Sequence, residues 1–456
     1  MGPTTLVPPR SPSGRLCLKL GLLALVPLLV LLDAGVALLR GWEVTSRLDL
    51  GLLAVALAAV GAFGLAFGSK RGRAMLVGSG EQLAYVGFSL VGAWLVAEAV
   101  VAGVTWYVPE LRPAVEVAAG YHRRPANLQR VFHPEALPGI EGESRYTTNS
   151  LGIRGPESPP RAAAYRILFV GGSTTECIYL DDEEVWTHLV MQRLNDEPRR
   201  RRVWTGSVGI SGYPTVNHLR FVKTSPLVNE VDSIVLLIGA NDFNQYLRGN
   251  LVGDDFNQGQ EDDGDVSPLW HASPIVGLVR RLWGWRASIL TEDERARNIA
   301  ARAALRRQGL IRDALPRTLL PIEEALALYE ARVRSIVELT RSRGVRVVFI
   351  TQPTLWGAGL SEAARARLWM GDISVERGEY LSAGAGRKGI DRHNEILLKV
   401  CRDLRAECIS TEAMSGREDY FYDDFHYTEA GARALAQLVS EHFLSRASSH
   451  RWTTAR

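Results

Sequence analysis

The stretch RILFVGGSTTE, residues 166–176, decides the fold of this chain. Its first six residues form an apolar run of strand length with no polar position after the arginine, which is typical of a strand buried on both faces. Two glycines end the run, and Ser173 follows at once. Apolar runs of similar length, rich in β-branched residues, lie at 203–209, 233–239 and 346–351, and a shorter one lies at 407–410.

Helical patterns separate these runs along the chain. They lie at 184–195, 216–224, 322–343, 393–405 and 429–443, the last with Thr428 as a candidate N-cap. Strands that alternate with helices predict a parallel sheet covered on both faces. The right-handed crossover rule then favours an α/β fold with a three-layer, doubly wound parallel sheet. A strand order of 2-1-3-4-5 would make the first three strands neighbours.

Glycine and polar residues stand where these three strands end. The first strand ends in Gly171-Gly172-Ser173, the second in Gly209, and the third in GAND, which contains Asn241. Ligands of open parallel sheets bind at the carboxyl ends of the strands. The first loop alone is compatible with a tight turn or with a flavodoxin-like loop that cradles a phosphate. It is neither a Walker loop nor the G-x-S-x-G turn.

The stretch FYDDFHYT, residues 421–428, favours a different chemistry. A serine hydroxyl becomes a good nucleophile when a base takes its proton, and histidine is the usual base near neutral pH. His426 can serve as that base, and Asp423, three residues earlier, can hold the imidazole in one tautomer. Asp424 is the alternative acid. A lone histidine beside acids would instead form a surface ion pair, but a strand-end serine favours catalysis.

The order GGST, Gly, GAND and D-x-x-H resembles the four sequence blocks of the SGNH hydrolases, also called the GDSL esterase/lipase superfamily. The resemblance implies that Ser173 is the nucleophile, His426 the general base and Asp423 the residue that orients it. It also implies an oxyanion hole formed by the backbone amides of Ser173 and Gly209 and the side-chain amide of Asn241. No metal or organic cofactor is implied.

The resemblance covers residues 145–445 and includes one departure. Gly172 stands where many members have the aspartate of GDS, which leaves open what supports the Ser173 loop. The segment YTTNSLGIRGPE, residues 146–157, is similar to the lead-in of membrane-anchored bacterial members.

Residues 20–107 are mostly apolar and predict a membrane anchor. Three stretches, at about 18–39, 50–68 and 83–108, reach the roughly 20 residues that a spanning helix needs. Positive charges favour a cytoplasmic N-terminus, so three spans place the rest of the chain outside. We therefore expect a multi-pass protein of the bacterial inner (cytoplasmic) membrane whose catalytic domain faces the periplasm or exterior. A signal peptide is the alternative for the first stretch. The roles of Asp33 and Glu98, within the spans, stay open.

The sequence predicts four segments. These are a membrane anchor at 1–108, a proline-containing linker at 109–144, an SGNH-like α/β domain at 145–446 with an insertion at 244–321, and a disordered tail at 447–456. A net charge of +3 and the lack of nucleic-acid motifs argue against a nucleic-acid partner. Cys401 and Cys408 could pair in an oxidising compartment or remain reduced.

The leading functional hypothesis is a membrane-anchored serine esterase that acts on an acyl ester or an acylated carbohydrate. An O-acyltransferase that modifies cell-surface or exported polysaccharide, with a membrane partner, is the first alternative. A non-catalytic binding protein with the same fold is the second. A flavin-binding flavodoxin relative is the third, and it leaves Asn241 and His426 unexplained.

Overall fold

The structure, a computed structural model, describes residues 99–100, 116–118, 121–134, 137–197, 201–249, 310–312, 321–374 and 379–446. Nearly all of them belong to one unit, formed by residues 113–258 and 290–456. Apart from residues 99–100, the three predicted spans lie outside the described residues, as do the tail and most of the insertion. Within the described part of the chain, no helix is both long enough and apolar enough to cross a bilayer.

The described residues form twelve strands and eight α-helices. The strands are β1 Glu116–Ala118, β2 Tyr121–Arg123, β3 Gln129–Phe132, β4 Ser144–Thr147, β5 Tyr165–Gly171, β6 Val203–Ser207, β7 Ser233–Leu237, β8 Leu310–Arg312, β9 Arg346–Ile350, β10 Asp372–Ser374, β11 Glu379–Leu381 and β12 Glu407–Ile409. The helices are α1 Ser173–Glu176, α2 Trp186–Asn195, α3 Thr215–Thr224, α4 Ala240–Leu247, α5 Ile322–Ser342, α6 Glu362–Arg367, α7 Ala383–Leu404 and α8 Glu429–Ser445. Short 3-10 helices cover Pro226–Glu230 and Glu412–Met414.

The central sheet has five parallel strands in the order β12-β9-β7-β5-β6. This confirms the predicted order 2-1-3-4-5 and the α/β fold with a parallel sheet. In register, Gly171 of β5 lies opposite Leu237 of β7, and Phe169 lies opposite Ser207 of β6. The carboxyl ends of these three strands are therefore side by side, which brings the three polar strand ends to one edge.

Both faces of the sheet are covered, as the mostly apolar strands predict. Every residue of β5, β6 and β7 is buried. Alternate residues of β5 join two separate hydrophobic cores: Phe169 lies in the core that includes α2 and α8, and Leu168 lies in the core that includes α3, α5 and α7. The period of two along each strand thus sorts the side chains between two helical layers.

Helix α7 begins ten residues before the predicted start at 393. The sequence AGAGRKGID at this end has three glycines, which lower helix propensity and hide the helix from pattern analysis. Packing requires two of them. A Cβ on Gly389 would lie 2.1 Å from the ring of Phe243, and one on Gly386 would lie 2.7 Å from the ring of Trp356. Tertiary contact therefore overrides local propensity here.

Part of the predicted linker packs on the α/β unit. Strand β3 pairs with β4 across the predicted boundary at 144–145. Tyr121 of β2 packs edge-on against Phe221 of α3, with ring centroids 5.2 Å apart, and Leu128 is buried. The folded unit therefore begins well before residue 145, because these apolar side chains complete its cores.

Strand β12 is a short edge strand with two cross-links. A disulfide joins Cys408 to Cys401 near the end of α7, with Cα atoms 6.2 Å apart. The Glu407 carboxylate accepts hydrogen bonds from Arg346 at 2.6 and 2.7 Å and from His442 at 2.9 Å. Burial raises the pKa of Glu407, but the bonds from His442 and Arg346 outweigh it and the pKa lies well below its ordinary value.

Candidate active site

Ser173 is the first residue of α1, directly after the turn that ends β5. The turn is too tight for a side chain at Gly171, where a Cβ would lie 2.6 Å from the carbonyl oxygen of Leu237. Helix α1 is only four residues long and stops at Cys177, which has a left-handed backbone with φ of 49°. The sharp entry and early stop present the Ser173 side chain at the edge of the sheet.

His426 contacts the Ser173 hydroxyl. Its Nε2 lies 2.7 Å from Oγ of Ser173, and its Nδ1 lies 2.6 Å from Oδ2 of Asp423. The ring of Tyr422 stacks on the imidazole, with ring centroids 5.5 Å apart and planes 10° apart. The histidine is thus held on one side by a carboxylate and on one face by an aromatic ring, with its other nitrogen turned to the serine.

The Asp423 carboxylate is fully buried and fully hydrogen-bonded. Its Oδ1 accepts from the backbone N–H groups of Phe425 at 2.9 Å and His426 at 2.8 Å, and its Oδ2 accepts from Nε1 of Trp369 at 2.9 Å. Burial alone would raise the pKa of Asp423, but the charge of His426 and these bonds outweigh it and lower the pKa. A carboxylate only accepts hydrogen bonds, so we assign the neutral histidine a proton on Nδ1 and an acceptor on Nε2.

Asp424, the alternative acid, faces the other way. Its Oδ1 accepts from Nε1 of Trp356 at 2.7 Å, and its Oδ2 accepts from the backbone N–H groups of Trp369 and Met370 at 2.6 and 3.0 Å. These bonds attach the segment around residues 369–370 to the histidine loop. Of the two neighbouring aspartates, it is Asp423 that contacts His426.

Asn241 lies in the first turn of α4, against the nucleophile loop. Its Nδ2 donates one hydrogen bond to the carbonyl of Tyr213 at 2.9 Å, which leaves the second N–H of the amide for another acceptor. A Cβ on Gly172 would lie only 2.2 Å from this nitrogen. The glycine at 172, where the resemblance expects aspartate, is therefore what makes room for the Asn241 amide.

Gly209 packs on the opposite side of α1. A Cβ on it would lie 2.5 Å from the backbone nitrogen of Glu176, so backbone meets backbone here. The Gly209 N–H makes a long contact of 3.3 Å with Oγ of Ser207. The strand-end residues Gly209 and Asn241 thus both lie beside the short helix that begins at Ser173, as predicted from the strand order.

Trp369 and Arg154 support this arrangement and were not singled out from sequence. The guanidinium of Arg154, which is buried, donates to the carbonyl groups of Glu176 and Cys177 at 2.6 and 2.9 Å and to Leu180 at 2.6 Å. The segment similar to the family lead-in therefore stabilises the loop that follows the nucleophile helix. The signal available in the sequence was a lone arginine within that segment.

The arrangement fits acyl transfer. A serine hydroxyl in contact with an oriented imidazole, beside amide donors, is suited to attack a carbonyl and to stabilise the resulting oxyanion. Over the residues that the structure describes, no cluster of three or more His, Cys, Asp or Glu side chains could hold a metal ion.

Comparison with known proteins places the chain in a family. Residues 169–434, more than half of the chain, match the sequence profile of the GDSL-like Lipase/Acylhydrolase family. No curated protein matches the chain.

Similar solved structures include a lipase/acylhydrolase from Enterococcus faecalis, at 13% identity and a TM-score of 0.33, covering 62% of this chain and 96% of that one. An acetylxylan esterase from Geobacillus stearothermophilus has 13% identity and a TM-score of 0.34, covering 65% of this chain and 100% of that one. On the profile match, the chain belongs to the GDSL-like lipase/acylhydrolase family and is a hydrolase that acts on ester bonds.

Proposed function

We propose that the chain is a membrane-anchored serine esterase that removes O-acyl groups from a carbohydrate or a small ester. The observation that carries the catalytic part is the pair of hydrogen bonds that joins Ser173 through His426 to Asp423, at 2.7 and 2.6 Å. The carbohydrate part rests on the resemblance to membrane-anchored members of the family, whose substrates are often O-acyl groups of cell-surface or exported polysaccharides.

In the proposed reaction, Oγ of Ser173 attacks the ester carbonyl while Nε2 of His426 takes its proton. The negative charge that develops on the carbonyl oxygen is stabilised by the backbone N–H groups of Ser173 and Gly209 and by the free N–H of Asn241. The protonated His426 then gives its proton to the departing alcohol, and an acyl-enzyme remains. Asp423 stays ionised throughout and stabilises the imidazolium.

Deacylation repeats these steps with water as the nucleophile. His426 takes a proton from the water, the hydroxide attacks the acyl carbonyl, and Ser173 leaves with the proton returned by the imidazolium. Removal of one oxyanion donor from an enzyme of this kind typically costs about 3–4 kcal/mol of transition-state stabilisation. The products are the free acid and the deacylated alcohol.

A fluorophosphonate probe tests the nucleophile directly. We expect the wild type to be labelled and Ser173→Ala not to be labelled, because the probe bonds to the activated Oγ. Ser150→Ala is the matched control, since Ser150 is an exposed serine bonded to Glu157 and should leave labelling unchanged. Equal labelling of the wild type and Ser173→Ala would rule out the assignment.

Transfer of the acyl group to a sugar hydroxyl is the second candidate, and the same resemblance favours it. It shares the acyl-enzyme and differs only in the acceptor. The deciding experiment incubates an acyl donor with and without candidate glycans and measures whether water or sugar collects the acyl group. A non-catalytic role would be supported if no ester in a panel of acetylated sugars and short acyl esters were hydrolysed.

The proposed location is also testable. The three apolar stretches predict that the chain remains in the membrane fraction after alkaline carbonate extraction. The positive charges predict that the domain formed by the residues after 110 faces outward. A protease added to spheroplasts should therefore reach this domain and cleave it. Protection from the protease would reverse the proposed orientation.

A further inference from the structure

We propose that Glu176 is a positioning residue that holds the oxyanion loop, residues 207–213, against the nucleophile helix. The inference rests on the proposed role of the Gly209 amide as an oxyanion donor. Glu176 is the last residue of α1, which begins with Ser173. Its side chain has no exposed surface, so its carboxylate acts on protein groups and not on solvent.

One oxygen of the carboxylate binds the oxyanion loop. Oε2 of Glu176 accepts from the backbone N–H of Ser211 at 2.7 Å and from the hydroxyl of Ser211 at 2.6 Å. Hydrogen bonds to a charged acceptor are about twice as strong as neutral ones. Ser211 lies two residues after Gly209, so these bonds fix the loop immediately beyond the proposed donor.

The other oxygen binds the segment that precedes the sheet. Oε1 accepts from Nε of Arg124 at 2.5 Å and from the hydroxyl of Tyr146 at 3.3 Å. Arg124 also forms an ion pair with the same carboxylate and is largely buried. A buried carboxylate is costly unless it is paired, and Arg124 is the cation that pairs with this one. The two oxygens of Glu176 together accept hydrogen bonds from Ser211, Arg124 and Tyr146.

The carboxylate acts together with a close backbone contact. Gly209 lies directly on the peptide of Glu176, and Oγ of Ser207 donates to the carbonyl of Thr175 at 3.3 Å. These contacts therefore fix the loop that carries the Gly209 N–H against the four-residue helix that begins with Ser173. Among these contacts between the helix and the oxyanion loop, the Glu176 side chain is the charged one. Gly172, which has no side chain, cannot make such a contact at the Ser173 loop.

The experiment compares the full-length wild type with Glu176→Gln. Glutamine offers one acceptor oxygen in place of two, so either Ser211 or Arg124 loses its partner. We expect kcat for 4-nitrophenyl acetate to fall about 10- to 100-fold, because a misplacement of about 1 Å has that effect on catalysis. KM should change less than about twofold, since the donor acts on the transition state and not on the bound ester.

Ser211→Ala tests the same link without disturbing the Glu176–Arg124 ion pair, and it serves if Glu176→Gln does not fold. It removes the hydroxyl bond and keeps the backbone bond, so a smaller fall in kcat, about 3- to 10-fold, is expected. The double variant should fall little further than Glu176→Gln alone, because both changes break one connection. If the losses in kcat of the two single variants multiplied in the double variant, Glu176 would not act through Ser211.

Glu407→Gln is the matched control. It removes the negative charge that pairs with the mostly buried Arg346. Glu407 lies on β12, at the far edge of the sheet, so the change should lower thermal stability without lowering kcat. The proposal is overturned if Glu176→Gln loses stability at unchanged kcat, or if only its KM rises. Those outcomes concern Glu176 alone, whereas an active Ser173→Ala variant would overturn the proposed function itself.

Discussion

The replacement Gly172→Ala should damage catalysis through one displaced amide. A Cβ at position 172 would lie 2.2 Å from Nδ2 of Asn241, and an ordinary contact needs at least about 3.4 Å. The backbone tolerates alanine, since φ at Gly172 is −89°. The clash is therefore relieved mainly by moving the Asn241 side chain by roughly 1 Å, away from the proposed oxyanion position.

The expected loss follows from the value of one oxyanion donor. Removal of such a donor lowers kcat about 10²- to 10³-fold, or about 3–4 kcal/mol. Gly172→Ala should approach this range, and Asn241→Ala should reach it. In Asn241→Ala the space beside residue 172 is empty, so adding Gly172→Ala should cause little further loss.

The assay is the hydrolysis of 4-nitrophenyl acetate by the full-length variants, with kcat and KM measured separately and thermal unfolding followed in parallel. KM should remain near that of the wild type in all three variants. The reasoning is refuted if Gly172→Ala retains kcat within about threefold of the wild type. It is also refuted if the two substitutions multiply in the double variant.

Two further predictions concern buried titratable groups. Asp423→Asn should lower kcat about 10³- to 10⁴-fold through loss of the correct histidine tautomer, whereas Asp424→Asn should lower thermal stability and leave kcat within about tenfold; the reverse order would exchange their roles. Burial lowers the pKa of His393 from 6.5 to about 4, so the unfolded chain binds the extra proton between these values and stability falls as pH falls through them, by about 3 kcal/mol. Replacing His393 with Gln should flatten this part of a stability–pH curve measured by thermal unfolding. An unchanged slope in His393→Gln would contradict the argument.

The order of the sheet could be predicted from the sequence because its strands are mostly apolar, alternate with helices and are connected according to general rules. The start of α7 could not, because Gly386 and Gly389 are poor helix formers that only their contacts with Trp356 and Phe243 explain. The role of residues 121–134 was missed for a related reason. Short antiparallel strands carry little periodicity, and their partners become visible only in the folded chain.

The residues of the candidate site also fall into those that a sequence motif indicates and those that only contacts in the folded chain reveal. Ser173, His426, Gly209 and Asn241 could be proposed because each stands in a short motif, and the structure brings Ser173 and His426 into contact. Asp423 was proposed from the D-x-x-H spacing of the resemblance, with Asp424 as the alternative. In the structure the two adjacent side chains point in opposite directions, and Asp423 is the one that contacts His426. Support from distant residues has no local signature: the partners of Glu176 lie as far as 52 residues away.

The packing of β2 and β3 has a consequence for recombinant fragments of this enzyme. A fragment cut at residue 145 would lack Tyr121, Leu128 and strand β3, and would leave apolar surface on the sheet unit exposed to water. It would also lack Arg124, so the Glu176 carboxylate would be buried without its cation. Such a fragment is a poor choice for crystallisation or for an activity screen, and the shortest sound starting point lies before β1, near residue 113.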